Sequence, residues 1–329
     1  MNLPALAGFN FKALIAGLAT AILAIATAGA QPFPSKNLRF IGIATPGTTS
    51  DVIGRAVAEP LSRQIGQAIV VENRAGGGGT IAAGAVARAE PDGHTLLLTT
   101  SAQSGMSWLY SNLPFDPVRD FSGVTTLAEL PNVLVVPPQR GWSTLKDLVA
   151  AARTRPGALN FGSGGTGSGT HLSSEKFMLA AGITANHVPY KGTSEGLVEV
   201  VAGRLDWFYT PAASVVSLIK DGRLKGLAVS SKTRMSQLPD LPTAAEAGLG
   251  QAEYVFWVGL LVPRKTPRPA VNKLNEETLK VLASTELRER FRQLGAEPLP
   301  MRPAELDAFL AADTNATGRI VKAANIKPQ

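Results

Sequence analysis

The sequence of 329 residues contains no cysteine. Disulfides, thiolate metal sites, a cysteine nucleophile and a lipid-bearing cysteine are all excluded, so the folded chain must stand on its core alone. Histidine is nearly as scarce: His94, His171 and His187 are the only three, and no two form an H-x-x-x-H pair. No metal centre and no cofactor are expected from such a set. Aromatic residues make up 6% of the chain, and no basic run is longer than two residues. Nucleic-acid binding, which needs stacking rings beside a basic stripe, is therefore not expected. The net charge of +7 reads either as a field drawing small anions to a cleft or as charge kept for solubility. A G-x-x-x-x-G-K-[ST] loop is also missing, which argues against a nucleoside triphosphate site.

What is present begins with a processing signal. Lys12 precedes 18 uncharged residues, Ala13 to Ala30, closing on Ala28-Gly29-Ala30. A positive charge, a short apolar core and a small-residue end predict a secretory signal over residues 1–30, cleaved after Ala30. The alternative is a membrane anchor, but the run is of minimal spanning length and two thirds of it is Ala, Gly or Thr. The mature protein is expected to be a free, soluble, periplasmic monomer. Removing Lys12 leaves 31 basic against 25 acidic residues.

Roughly 300 residues exceed what one core usually manages, so two lobes are expected. The pattern alternates short β-branched runs with helical stretches. NLRFIGIA reads as a strand; DVIGRAVAEPLSRQIG follows as a helix with Ile53, Val57, Leu61 and Ile65 every four residues, Pro60 marking a kink or weak turn. AIVVEN, HTLLLTT, LNFG, ITANHVPY, LDWFYT and LKGLAVSS continue the rhythm with helices between them. Alternation of this kind predicts an α/β fold with a mainly parallel sheet and helices on both faces. The rhythm occurs twice, with crossings expected near 132–138 and 255–263. The expected lobes are 31–135 plus 258–329, and 136–257, with the last helices on the first lobe.

Two motifs suggest chemistry and fail on context. Gly162-x-Gly164-x-x-Gly167 has the dinucleotide spacing, but the next strand ends Asn186-His187-Val188 without the acidic residue such a unit needs. Gly192-Thr193-Ser194-Glu195-Gly196 matches the hydrolase elbow, yet all three histidines precede Ser194, whereas that fold places its base after the nucleophile. No catalytic residue is expected. His94 and His187 read as strand residues. His171, in the first turn after the glycine loop, either faces a ligand or has an ordinary surface role.

The remaining signal is four loops at the carboxyl ends of predicted strands, the ligand edge of open α/β sheets. They are ATPGTTSD (44–51), TTSAQSG (99–105), GSGGTGSGT (162–170) and YTPAAS (209–214). Their hydroxyls and uncovered peptide N–H groups suit a carboxylate better than arginine forks would, although helix caps use the same residues. Ser101 in the second loop and Tyr209 opening the fourth are candidate ligand contacts.

At these residues the chain resembles the Bug family, the extracytoplasmic solute receptors of tripartite tricarboxylate transporters. The resemblance rests on PGTTSDVIGR (46–55), VVENRAGGGGTIAAGAVARAEPDGHTLL (70–97), NFGSGGTGSGTHLSSEKF (160–177), VPYKGTSEGLVEVVAGRLDWFY (188–209) and LKGLAVSSKTRMSQLPDLPTAAEAGL (224–249), and spans essentially the whole mature chain. It implies a two-lobed, Venus-flytrap periplasmic-binding-protein fold, type II-like, that closes over a small carboxylate without chemistry and hands it to membrane transporter subunits. A sensor partner of a two-component system would share this fold. By position, the resemblance assigns the ligand to Gly47, Thr48, Thr49, Ser50 and Asp51 in one lobe, and to Gly164, Thr166, Gly167, Ser168 and His171 in the other. The chain departs from the family at Thr48, where a second glycine is usual, and at Tyr209, where an acidic residue is frequent. Both changes are expected to narrow the cleft or offer stacking, and so imply a ligand other than a simple C4 dicarboxylate, aromatic or hydroxylated.

Overall fold

The structure is a computed structural model that describes residues 33–235 and 237–328. The expected signal at 1–30 lies outside the described residues. In chain order the first strands are β1 (Leu38–Gly42), β2 (Ile69–Asn73), β3 (Thr95–Thr100) and β4 (Phe121–Leu130). A second group follows: β5 (Asn132–Val136), β6 (Asn160–Ser163), β7 (Asn186–Pro189), β8 (Trp207–Pro211) and β9 (Lys225–Val229). The chain then returns through β10 (Phe256–Pro263) and the short β11 (Glu297–Pro298).

Two sheets result, and they share one plan. The first runs β2-β1-β3-β10-β4 with β11 at its edge; the second runs β7-β6-β8-β5-β9. β1 pairs in parallel with β2 and β3, while β10 is antiparallel to β3 and β4. In the second sheet β6 pairs in parallel with β7 and β8, and β5 is antiparallel to β8 and β9. Each sheet thus has one reversed strand in its interior, where the chain has just crossed from the other lobe, and the two-residue β11 at the edge of the first is also antiparallel to β4. The crossing sits at Pro131: Asn132–Val135, expected in the first lobe, pair within the second sheet. Phe256 and Trp257, expected in the second lobe, pair with β4 in the first.

Both faces of each sheet are covered, which is why the strands read as continuous apolar runs. Leu96 and Leu98 enter one core with Phe40, while Leu97 faces another with Ile41. Likewise Leu134, Trp207 and Tyr209 share one core, and Val133, Val135 and Phe208 the opposite one. The helix α1 (Thr49–Ile65) buries Ile53, Val57 and Leu61 against the first sheet and continues through Pro60 rather than ending there. It can lie this close because of Gly54: a Cβ there would sit 2.2 Å from Leu98 Cδ2.

Helices follow the strands: α2 (Thr80–Ala87), α3 (Ala102–Leu109), α4 (Leu145–Thr154), α5 (Gly169–Ala181), α6 (Thr193–Val201) and α7 (Val216–Lys220). All but α3 are expected, and α3 begins inside the 99–105 stretch that the sequence reads as a loop. After β10 come α8 (Arg268–Ala283), α9 (Thr285–Gln293) and α10 (Pro303–Ala323). α8 and α9 pack on the first lobe through Val271, Leu274 and Phe291. α10 goes further than the sequence suggested. Its Leu306 and Leu310 join the first lobe, but Ile320 and Val321 cluster with Leu109, Tyr254 and Leu172, the last from the second lobe.

Candidate functional site

The carboxyl ends of the parallel strands face a crevice of about 520 Å³ between the lobes. Its walls are the opening turns of five helices. Thr48, Thr49 and Ser50 come from α1, Gly77 to Gly79 precede α2, Ala102 opens α3, Gly169 and Thr170 open α5, and Gly192 and Thr193 open α6. Lys191 is the one charged residue among the described residues lining it, and no carboxylate faces in. Peptide dipoles, uncapped N–H groups and one ammonium therefore act in the same direction, toward an anion. Two larger grooves, about 920 and 840 Å³, lie each on the outside of a single lobe and lack this convergence.

The loop before α1 is braced from beneath. Asp51, almost fully buried, accepts from Gly47 N (2.9 Å), Arg55 Nε (3.0 Å) and Asn73 Nδ2 (3.0 Å). Asn73 Nδ2 also reaches Ala44 O at 2.9 Å, tying both ends of the loop together. Burial by itself would raise the Asp51 carboxyl, but the bonds from Arg55, Gly47 and Asn73 outweigh it and hold it below the ordinary carboxylate range. Asp51 is thus a brace and does not line the crevice. Gly47 (φ 79°) supplies the turn from an exposed position, also off the lining.

The glycine loop before α5 is built similarly. Gly165 and Gly167 have φ of 115° and 78°, conformations that side chains resist. Gly164 N donates to Thr170 Oγ1 at 2.8 Å, and Ser168 caps α5 by accepting from His171 N at 3.3 Å. Gly164, Thr166, Gly167 and Ser168 all line the crevice. His171 does not. It is 3% exposed, and its Nδ1 accepts from Gly167 N at 3.0 Å, so it supports the loop from behind.

Two further candidates change place. Tyr209 shares the strand face of Trp207, pointing into the core beside Phe177, with ring centroids 6.3 Å apart. It is 1% exposed, burial pushes its hydroxyl upward, and it cannot narrow the crevice. Of the two departures from the family, only Thr48 lines the crevice and can act on the ligand. Ser101 is also buried, between Thr100 and Ala102 that line the crevice; its Oγ lies 3.2 Å from where a Cβ of Gly169 would be, at the junction of the lobes.

Sequence reading missed other contributors. The Gly76–Gly79 stretch, Tyr110, Tyr190, Lys191 and Phe256 all reach the crevice. Gly76 to Gly79 follow β2 at the same sheet edge as the four loops singled out, so the same rule would have found them. Tyr110 lies over Gly78, where a Cβ would meet the phenol oxygen at 2.3 Å. Phe256 opens the returning strand, and nothing local marks it.

Two lobes joined by crossing strands, with a crevice lined by amides and hydroxyls, define a solute-binding receptor. The chain belongs to the tripartite tricarboxylate transporter receptor family: the family model described as "Tripartite tricarboxylate transporter family receptor" matches residues 53–326. A relative from Pseudomonas sp. strain P51, the "UPF0065 protein in tcbD-tcbE intergenic region", is 36% identical over 321 residues, covering 97% of this chain and 96% of the relative. The structure of R. palustris Rpa4515 with adipate superposes with a TM-score of 0.83 at 32% identity, covering 90% of this chain and all of that one (100%). That of MatC from Rhodopseudomonas palustris with bound malate gives 0.78 at 31%, covering 88% and 100%.

Proposed function

We propose that the protein is a periplasmic receptor that captures a small carboxylate between its lobes and presents it to the membrane subunits of a tripartite tricarboxylate transporter. The observation that carries this reading is the crevice lined by five helix openings and Lys191 with no carboxylate facing in. Similar proteins with adipate and with malate support it. The ligand class is a di- or tricarboxylate or an aromatic carboxylate. No helix among the described residues is long and apolar enough to cross a membrane, in keeping with export on the signal expected at residues 1–30.

Micromolar affinity lies within the range that these contacts can supply. Micromolar binding needs about 8 kcal/mol. Hydrogen bonds to a charged group contribute about 1.5–3 kcal/mol each, and a helix N-terminus about 0.3–1. Five or six donors and two helix ends give on the order of 10–20 kcal/mol against an association cost of about 4–15. Closure excludes water and strengthens each bond, and only the closed form touches the anion with both lobes, so the ligand selects it.

The ligand is released unchanged. A serine–histidine contact does exist, Ser163 Oγ to His187 Nε2 at 2.6 Å, but Ser163 is fully buried and its hydroxyl is engaged with Gly165. Ser194 is exposed at the start of α6. A thermal-shift panel of aliphatic and aromatic carboxylates tests the reading. A binder at 100 times its Kd should add about 2.7 kcal/mol of stability. If every carboxylate leaves the melting curve in place, or if any is turned over, the reading fails.

A further inference from the structure

We propose that His171 and His187 form a stacked imidazole pair that positions the crevice-lining glycine loop, so that ligand affinity depends on two residues that do not line the crevice. This rests on the reading of the crevice as a carboxylate site.

The loop from Gly164 to Ser168 lies between β6 and α5, outside any sheet ladder, and its two left-handed glycines give it little shape of its own. Gly164 N–H to Thr170 Oγ1 and Ser168 N–H to Gly165 O close it locally, and two further bonds hold it from beneath. Gly167 N–H donates to His171 Nδ1 at 3.0 Å. Gly165 N–H donates to Ser163 Oγ at 3.1 Å, and that oxygen is joined to His187 Nε2 at 2.6 Å. The two rings lie face to face, with centroids 3.9 Å apart and planes 10° from parallel. Phe161 stacks on His187 at 4.9 Å and Trp207 on Phe161 at 5.4 Å, so the pair ends a column of rings rooted in the second sheet.

The topology explains why these residues meet. Phe161 and His187 are register partners on the parallel strands β6 and β7. His171 descends onto them from the first turn of α5, where Ser168 as cap sets the helix entry. Because Nδ1 of His171 accepts, its proton must sit on Nε2, which faces Glu175 Oε1 at 3.3 Å. A proton added to Nδ1 would set two donors against each other at Gly167. His187 is pushed down to about 3, chiefly by burial and then by the neighbouring His171. The geometry therefore requires an acceptor at one position and a ring-sized polar group at the other, and the loop takes its form from both.

The test uses the full protein with adipate and malate as probes, and amide hydrogen exchange at Gly167 as a readout that needs no ligand. His171→Asn places an amide oxygen near the Nδ1 position; it should keep wild-type Kd and a protected Gly167 amide. His171→Leu removes the acceptor and should weaken binding about tenfold or more, the worth of one hydrogen bond, while Gly167 exchange speeds up. If His171→Leu does not fold, His171→Gln, whose oxygen reaches toward the Nε2 end, replaces it with the same expectation. Equal Kd and equal Gly167 protection in the acceptor-free variant overturn the proposal. Should the wild type bind neither probe, the carboxylate that the thermal-shift panel selects takes their place; a panel without any binder sinks the carboxylate reading by itself, and Gly167 exchange across the variants still decides the role of His171.

Discussion

A Cβ on Gly167 would lie 2.3 Å from Leu109 Cδ1, so the glycine loop of the second lobe and α3 of the first meet closely enough that one further carbon would displace the Leu109 side chain. The contact lies at the crevice, and Leu109 also packs in the cluster containing Leu172 and Tyr254. Gly167 is thus needed twice, for its left-handed backbone and for its lack of bulk. Gly167→Ala is expected to wedge the lobes apart and weaken ligand binding by at least about tenfold. Calorimetry gives the affinity, and small-angle scattering should show that ligand no longer compacts the variant. Wild-type affinity in this variant would refute the importance of the contact.

Ser168 faces the crevice and caps α5. Aspartate caps a helix as well as serine does, so Ser168→Asp should fold with a melting temperature close to wild type. Its negative charge would confront the ligand, and binding should be abolished. If titration finds affinity unchanged, the ligand is held by a different loop.

Asp51 is expected to matter through stability. Asp51→Ala removes an acceptor from Gly47, Arg55 and Asn73 together. Urea denaturation should show a loss of about 2–3 kcal/mol, typical of losing a buried, charge-assisted acceptor. A variant as stable as wild type would mean that the brace is redundant.

His187 sets a pH dependence. Its folded value is about 3 against an ordinary 6.5. Between these values the unfolded chain binds a proton that the folded one does not, so stability is complete above about 6.5 and declines as pH falls toward 3. The limiting slope is about 1.4 kcal/mol per pH unit, and because the ring is partly accessible we expect roughly half of it. Comparing His187→Gln with wild type by denaturation at several pH values isolates this contribution: the variant's slope should be shallower. Parallel curves would contradict the assignment.

Tyr209 offers the opposite expectation. Tyr209→Phe should leave ligand affinity unaltered, since the ring lies in the core of the second lobe beside Phe177 and Trp207. A clear change in Kd would return Tyr209 to the crevice.

Much of the architecture was legible from local pattern. Ile53, Val57 and Leu61 mark one face of α1, and HTLLLTT could only be a strand buried on both sides. The glycine-serine loop was recognisable because left-handed turns and helix caps need particular residues. The family resemblance assigns His171 and Asp51 to the ligand by position. Each instead turned back to hold its own loop, since a buried polar side chain within reach of an unpaired N–H forms that bond first. Lys191 and Phe256 carried no local mark.

Sequence alone determined the alternation of strands and helices, the doubled rhythm and the chemistry of the loops, because these depend on residues a few positions apart. Which loops would meet, and from which side, depended on strand order across two sheets. Trp207 and Tyr209 must share a face because the pleat has a period of two. That this face looks into the helix layer and not the crevice was decided only when β8 took its place between β6 and β5.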